Sequence, residues 1–142
     1  MIRVLIIDDD FMVAKVHAGF VQQAEGFETV GAAHTGTSAI AQVARLQPDL
    51  VLLDIHLPDI NGLDLVQQLR EVAPELDVLV ISAAREADVV RKALRGGIVH
   101  YLMKPFTGTD LRERLEHYRN TYHPLVSGTR NATQTDVDQV FG

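Results

Sequence analysis

The chain switches five times between a short apolar run and a longer segment whose apolar residues recur at helical spacing, and this alternation restricts its fold more than any other feature. Val4-Leu5-Ile6-Ile7 is the first run and stops at Asp8; Phe11 to Ala24 follows, with Val13, Val16, Phe20 and Val21 at helical spacing and Gly26 closing it. Phe27 to Ala33 reads as a second, more polar strand, and Thr35 to Leu46 as a helix facing Ile40 and Val43 inward. Pro48 ends that helix, because the residue before a proline avoids the helical region. Leu50-Val51-Leu52-Leu53 stops at Asp54. Asn61 then caps a helix that runs to about Ala73, with Leu65, Val66, Leu69 and Val72 as its buried stripe and Pro74 beyond it. Val78-Leu79-Val80-Ile81 stops at Ser82, and a helix over Glu86 to Arg95 ends at Gly96-Gly97. Ile98 to Met103 is the fifth strand and stops at Lys104-Pro105. Thr107 or Thr109 caps a last helix burying Leu111, Leu115 and Tyr118.

Strands that alternate with helices must pair in parallel, with helices on both faces of the sheet. The first, third and fourth strands are the most continuously apolar, as strands covered on both faces should be, while the second reads as an edge. The expected fold is α/β: a flavodoxin-like, doubly wound (βα)5 unit with a five-stranded parallel sheet in the order 2-1-3-4-5. It should occupy residues 1–122. Residues 123–134, with Ser127, Gly128, Thr129, Asn131 and Thr133 and few large apolar side chains, read as a linker. Residues 135–142 read as a tail that could begin another helix.

Composition narrows the function classes. A hydrophobic share of 46% supports a sizeable core, and a net charge of −6 argues against bare affinity for nucleic acid or an anionic membrane. The absence of cysteine excludes disulfides and thiolate metal sites and fits a reducing cytoplasm. No charged-then-apolar leader opens the chain, so no signal peptide is expected. No apolar run approaches the roughly 18 residues of a membrane helix.

The strand ends carry the chemistry. Asp8, Asp9 and Asp10 follow the first strand, Asp54 the third, Ser82 the fourth and Lys104 the fifth. In a doubly wound sheet these ends share one rim beside the topological switch point. Carboxylates gathered there repel, by about 4 kcal/mol for two unit charges 4 Å apart at an effective dielectric of 20. A hard divalent cation such as Mg²⁺, which favours oxygen ligands, would offset this, and Lys104 supplies a second positive charge. A carboxylate so flanked can act as a nucleophile towards a phosphoryl group.

Asp8-Asp9 after an apolar strand, Asp54 within Leu-Leu-Asp-Ile-His-Leu-Pro-Asp, Gly62, Ser82-Ala83 and Lys104-Pro105-Phe106, taken together and in order, resemble the response-regulator receiver family of two-component systems. The resemblance spans about Ile2 to Tyr122. It implies that Asp54 is the phosphoacceptor, and that Mg²⁺ is held by Asp9 and Asp54, by Asp8 through water and by the backbone carbonyl of His56. Lys104 and Ser82 would contact phosphate oxygens, Tyr101 would swing from exposed to buried, and Lys104-Pro105 would be a cis peptide. The side chain of His56 is expected to be a solvated loop histidine. Asp10, at a helix start, is expected to be a cap rather than a ligand, and the remaining histidines solvated or packed.

The resemblance further implies a sensor histidine kinase as partner, and a homodimer through the fourth helix, fifth strand and fifth helix. Catalysis would be limited to the domain's own phosphorylation and dephosphorylation. The linker and the Thr135 to Phe141 stretch are similar to the junction before a helix-turn-helix domain in citrate- and dicarboxylate-responsive transcriptional regulators. DNA would then be bound by an output domain outside this chain, and the protein would be cytoplasmic, with no membrane contact. A free-standing receiver is the alternative. Asp8-x-Asp10 also resembles the nucleophile motif of haloacid-dehalogenase-like phosphohydrolases, but Ser82-Ala83-Ala84 stands where those enzymes need an acidic pair. A flavodoxin-like nucleotide carrier would need a hydroxyl- and glycine-rich loop where Asp8-Asp9-Asp10-Phe11-Met12 stands.

Overall fold

A computed structural model of the protein describes residues 1–83, 91, 95 and 100–121. Five strands, β1 (Ile2–Ile7), β2 (Phe27–Ala33), β3 (Leu50–Asp54), β4 (Asp77–Ala83) and β5 (His100–Lys104), pair in parallel in the order β2-β1-β3-β4-β5. This is the expected flavodoxin-like order, with β2 at one edge. The described helices are α1 (Phe11–Gln23), α2 (Gly36–Leu46), α3 (Gly62–Val72) and α4 (Gly108–Thr121). Of the expected helix over 86–95 only residues 91 and 95 are described, both helical; the linker over 123–134 and the tail over 135–142 lie outside the described residues, and α4 is the last of the expected helices.

Side-chain alternation along the central strands divides the core. Leu5, Ile7, Val51, Leu53, Val78 and Val80 pack with α2 and α3 on one face. Val4, Ile6, Leu50, Leu52, Leu79 and Ile81 pack with α1 and α4 on the other. Each such side chain, fully buried, contributes roughly 1.5–3 kcal/mol.

Helix ends follow the chemistry expected of them. Asp10 caps α1 by accepting from the backbone N–H groups of Met12 and Val13, and Asn61 caps α3 through Leu63. Of the two threonines expected to cap the last helix, Thr107 does so, in a reciprocal pair. Its hydroxyl accepts from the Asp110 N–H, and the Asp110 carboxylate accepts from the Thr107 N–H. Gly62 is required by proximity, since a Cβ there would lie 2.8 Å from the Ile55 backbone.

Two expected stripes shift. On α1 the buried residues are Ala14, His17 and Val21, whereas Val16 is exposed. Apolar residues encircle too much of this helix for spacing alone to choose the inner face, and small Ala14 lets the helix sit close to the sheet. On α3, Leu65, Val66 and Leu69 are buried with Gly62, but Val72, in the last turn, has rotated out to the surface.

Candidate functional site

Register alone assembles the rim. Ile7 of β1 is the partner of Leu53 in β3, so the next residues, Asp8 and Asp54, emerge side by side. Asp54 is the partner of Ile81, and two residues further along β4, Ala83 is the partner of Lys104. The Lys104 Nζ thus reaches Asp54 Oδ2 at 2.8 Å, across 50 residues of sequence. The other oxygen, Asp54 Oδ1, accepts from the backbone N–H of His56 at 2.9 Å, a hydrogen bond that folds the chain tightly after β3. Asp54 is 4% exposed and Asp8 1% exposed, whereas Asp9 is open to solvent.

Ligand oxygens of Asp8, Asp9 and Asp54 lie within 4.8 Å of one another. Burial is the main reason why the Asp8 carboxyl is pushed up to about 6. The Asp10 N–H opposes this, the charges of Asp54 and Asp9 reinforce it, and Lys104 opposes it. Burial works against the Lys104 ammonium as well. Its hydrogen bond and attraction to Asp54, with Asp8 and Asp9 behind, outweigh that cost and hold its pKa above the ordinary lysine value. One oxygen of Asp8, Oδ2, is buried with no hydrogen-bond partner. Three carboxylates with only one ammonium among them suit a hard divalent cation such as Mg²⁺.

The other expected site residues take definite places. Ser82 is 1% exposed, and its Oγ has no hydrogen-bond partner. Strand alternation puts it on the Val80 side of the sheet, opposite the side of Asp54 and Lys104. Tyr101 is half-buried on that same side, packed against the α2–α3 core. His56 is exposed, and its backbone forms an isolated bridge with Asn61. The Lys104-Pro105 peptide is cis. Asp10 is committed to capping α1, so it is not free to serve as the second acid that the phosphohydrolase motif requires.

Two residues with a bearing on the rim were not singled out from sequence. Asp59, in the loop after Asp54, accepts from the Gly36 and Thr37 N–H groups at 2.7 and 3.0 Å and from the Thr37 hydroxyl, which holds its carboxyl below the usual range. It fastens the acceptor loop to the start of α2. His17 lies on the buried stripe of α1, its Nδ1 4.0 Å from Asp8 Oδ2 and its ring 5.4 Å from that of Phe106. No spacing in the sequence singles it out, because Val13, Val16, Phe20 and Val21 compete for the inner face of α1.

Comparison with known proteins gives a consistent picture. The family model described as the response regulator receiver domain matches residues 4–116. The transcriptional regulatory protein CitT of Bacillus subtilis (strain 168) is 37% identical over 142 residues, covering 100% of this chain and 62% of the relative. The transcriptional regulatory protein DcuR of Escherichia coli (strain K12) is 41% identical over 143 residues, covering 99% and 59%. The chain thus spans about three fifths of the length of these curated relatives. Among solved structures, the receiver domain of NtrX from Brucella abortus superposes with a TM-score of 0.75 at 32% identity, over 83% of this chain and 98% of that one. The response regulator domain of Thermotoga maritima CheB does so with a TM-score of 0.75 at 27% identity, over 84% and 95%.

Proposed function

The chain belongs to the response regulator receiver domain family, and on that footing we propose that Asp54 accepts a phosphoryl group from a sensor histidine kinase and that Ser82, Lys104 and Tyr101 convert the transfer into a change of conformation. The observation that carries this reading is the 2.8 Å contact between Lys104 Nζ and Asp54 Oδ2 beside the Asp8 and Asp9 carboxylates. Asp8, Asp9 and Asp54, with the His56 carbonyl, would hold Mg²⁺. When bound, Mg²⁺ offsets the carboxylate charge and stabilises charge on the transferring oxygens.

The residues of the chain then divide the work. Asp54 attacks phosphorus through a carboxylate oxygen; the bond from phosphorus to the donor breaks, and its electron pair leaves with the donor. Lys104 transfers its hydrogen bond from the carboxylate to a phosphoryl oxygen. Ser82, whose buried hydroxyl lacks a partner and starts on the other side of the sheet from Asp54, gains one only when its loop turns round the strand end to the phosphorylated rim. Tyr101, packed on the Ser82 side, follows.

The relatives named as transcriptional regulators are longer than this chain, which supports a DNA-binding output outside it. Phosphorylation would then control transcription in the cytoplasm, through a dimer built on β5, α4 and the 86–95 segment. Among the described residues, no helix is long and apolar enough to cross a membrane. On α4, Arg112 lies 3.9 Å from Glu116 on its own helix and Asp110 is taken up in capping.

Incubation with acetyl phosphate and Mg²⁺, followed by intact mass, tests the central step. One added phosphoryl group is expected, absent without the metal and absent in Asp54→Asn. Modification at another residue, catalytic turnover of aryl phosphate through Asp8, or no modification would overturn it.

A further inference from the structure

Two buried polar atoms face each other behind the rim, and neither has a partner. Asp8 Oδ2 and His17 Nδ1 are both without a hydrogen bond, 4.0 Å apart, on side chains that are 2% and 7% exposed. An unmatched buried donor or acceptor costs about 1–3 kcal/mol, so two of them aimed at one another mark a contact made in another state of the site. Resting on the Mg²⁺ reading above, we propose that His17 is a positioning residue for the metal site, donating Nδ1–H to Asp8 Oδ2 when the cation is bound.

The surroundings fit a neutral donor. Burial, and then the Lys104 charge, hold the His17 pKa below the ordinary histidine value, with Asp54 opposing. Among the described residues, Lys104 and Asp54 act on it by charge, Asp8 Oδ2 lies 4.0 Å away, and the Phe106 ring lies against it at 5.4 Å. The other oxygen of Asp8, Oδ1, already accepts from the Asp10 N–H at 2.9 Å. A hydrogen bond at Oδ2 would therefore fix the carboxylate at both ends and set its orientation towards the cation. A distance of 4.0 Å is too long for a hydrogen bond, but a side-chain shift of about 1 Å closes it. Outer partners of this kind typically govern metal affinity by 10–100-fold.

The test is Mg²⁺ binding by titration calorimetry with MgCl₂ alone, in the wild type, His17→Phe and His17→Asn. Phenylalanine keeps the ring against Phe106 and loses the donor, while asparagine places an amide N–H where Nδ1 stood. We expect the Mg²⁺ Kd to rise about tenfold in His17→Phe and to return to within about threefold of wild type in His17→Asn. In phosphorylation by acetyl phosphate, the Mg²⁺ concentration for half-maximal rate should rise in His17→Phe, with the rate at saturating Mg²⁺ unchanged. Equal weakening in both variants, or none in either, would overturn the assignment while leaving the metal site intact. No Mg²⁺ binding by the wild type would overturn the metal reading and this one with it. Should His17→Phe fail to fold, the wild type decides by ¹⁵N spectroscopy of the imidazole. The Nδ1–H tautomer is expected with Mg²⁺, and a bare Nδ1 would refute the hydrogen bond.

Discussion

At the scale of residues, Asp8 is held against its own charge, and this has a sign that can be measured. With its pKa at about 6 in the fold, Asp8 binds a proton between about pH 6 and the ordinary 3.8 that the unfolded chain does not bind. Its contribution to stability therefore rises as pH falls through that window. His100, pushed down to about 4 by burial, by His117 and by Arg114, acts in the opposite sense, because the unfolded chain takes up the proton first. His17, also held low by burial, acts with His100, and in the metal-free wild type Asp8 opposes both. In Asp8→Asn the histidine effects stand unopposed, so the urea midpoint of that variant should fall more steeply than that of the wild type between pH 6 and 4. Proton and cation also compete for Asp8, so the Mg²⁺ Kd should rise by up to about tenfold per pH unit below about 6. A Kd that stays level from pH 7 to 5 would remove Asp8 from the metal site.

At the scale of elements, α1 carries more apolar surface than its packing uses. Phe11, Met12 and Val16 are 70%, 69% and 49% exposed, on the helix that begins directly after the acidic cluster. Met12 and Val16 border an open groove of about 660 Å³, lined also by Phe20, Lys104 and Phe106. Exposed apolar side chains grouped beside a reactive carboxylate suit a protein donor, whereas a small donor has no use for them. Met12→Glu should accordingly slow phosphorylation by the kinase at least fivefold and leave phosphorylation by acetyl phosphate within a factor of two. Equal loss with both donors would mean that α1 serves the chemistry itself. The same helix shows where periodicity stops being informative. Because Val13, Val16, Phe20 and Val21 could all have faced inward, the burial of His17 was not legible, and neither was the exposure of Val16. On α2, where polar residues occupy the outer side, Val43 was placed correctly.

At the scale of the whole molecule, the two ends of the sheet are held by different means. At the end away from the rim, Tyr118 of α4 donates to Asp77 Oδ2 at 2.7 Å, a bond which, after burial, keeps its phenol protonated. Arg3 bonds the carbonyls of Leu46 and Gln47, and its N–H meets Asp49. Tyr118→Phe should lower the unfolding free energy by about 1.5 kcal/mol, read by urea denaturation, with phosphorylation of Asp54 unaffected. Much of this architecture was legible in the residues. Strands that stop at Asp8, Asp54, Ser82 and Lys104 carry their own chemistry to one edge, because parallel pairing leaves them nowhere else to go. The tethers were not legible. Asp59 reaching α2, and Gln47, which turns through a left-handed conformation to donate to carbonyls of α2 and α3, depend on how loops pass one another in space, which no local spacing encodes.

The sheet is one chain thick, and its alternation sets Asp54 and Ser82 on opposite sides of it. Yet Ser82 is the very next residue after Ile81, the neighbour of Asp54 across the ladder. News of a bulky anion on one side need travel no further than a single peptide unit to reach the other compartment of the core. The membrane-like partition that keeps the two halves of the interior apart is thinnest at the place where a message has to cross it.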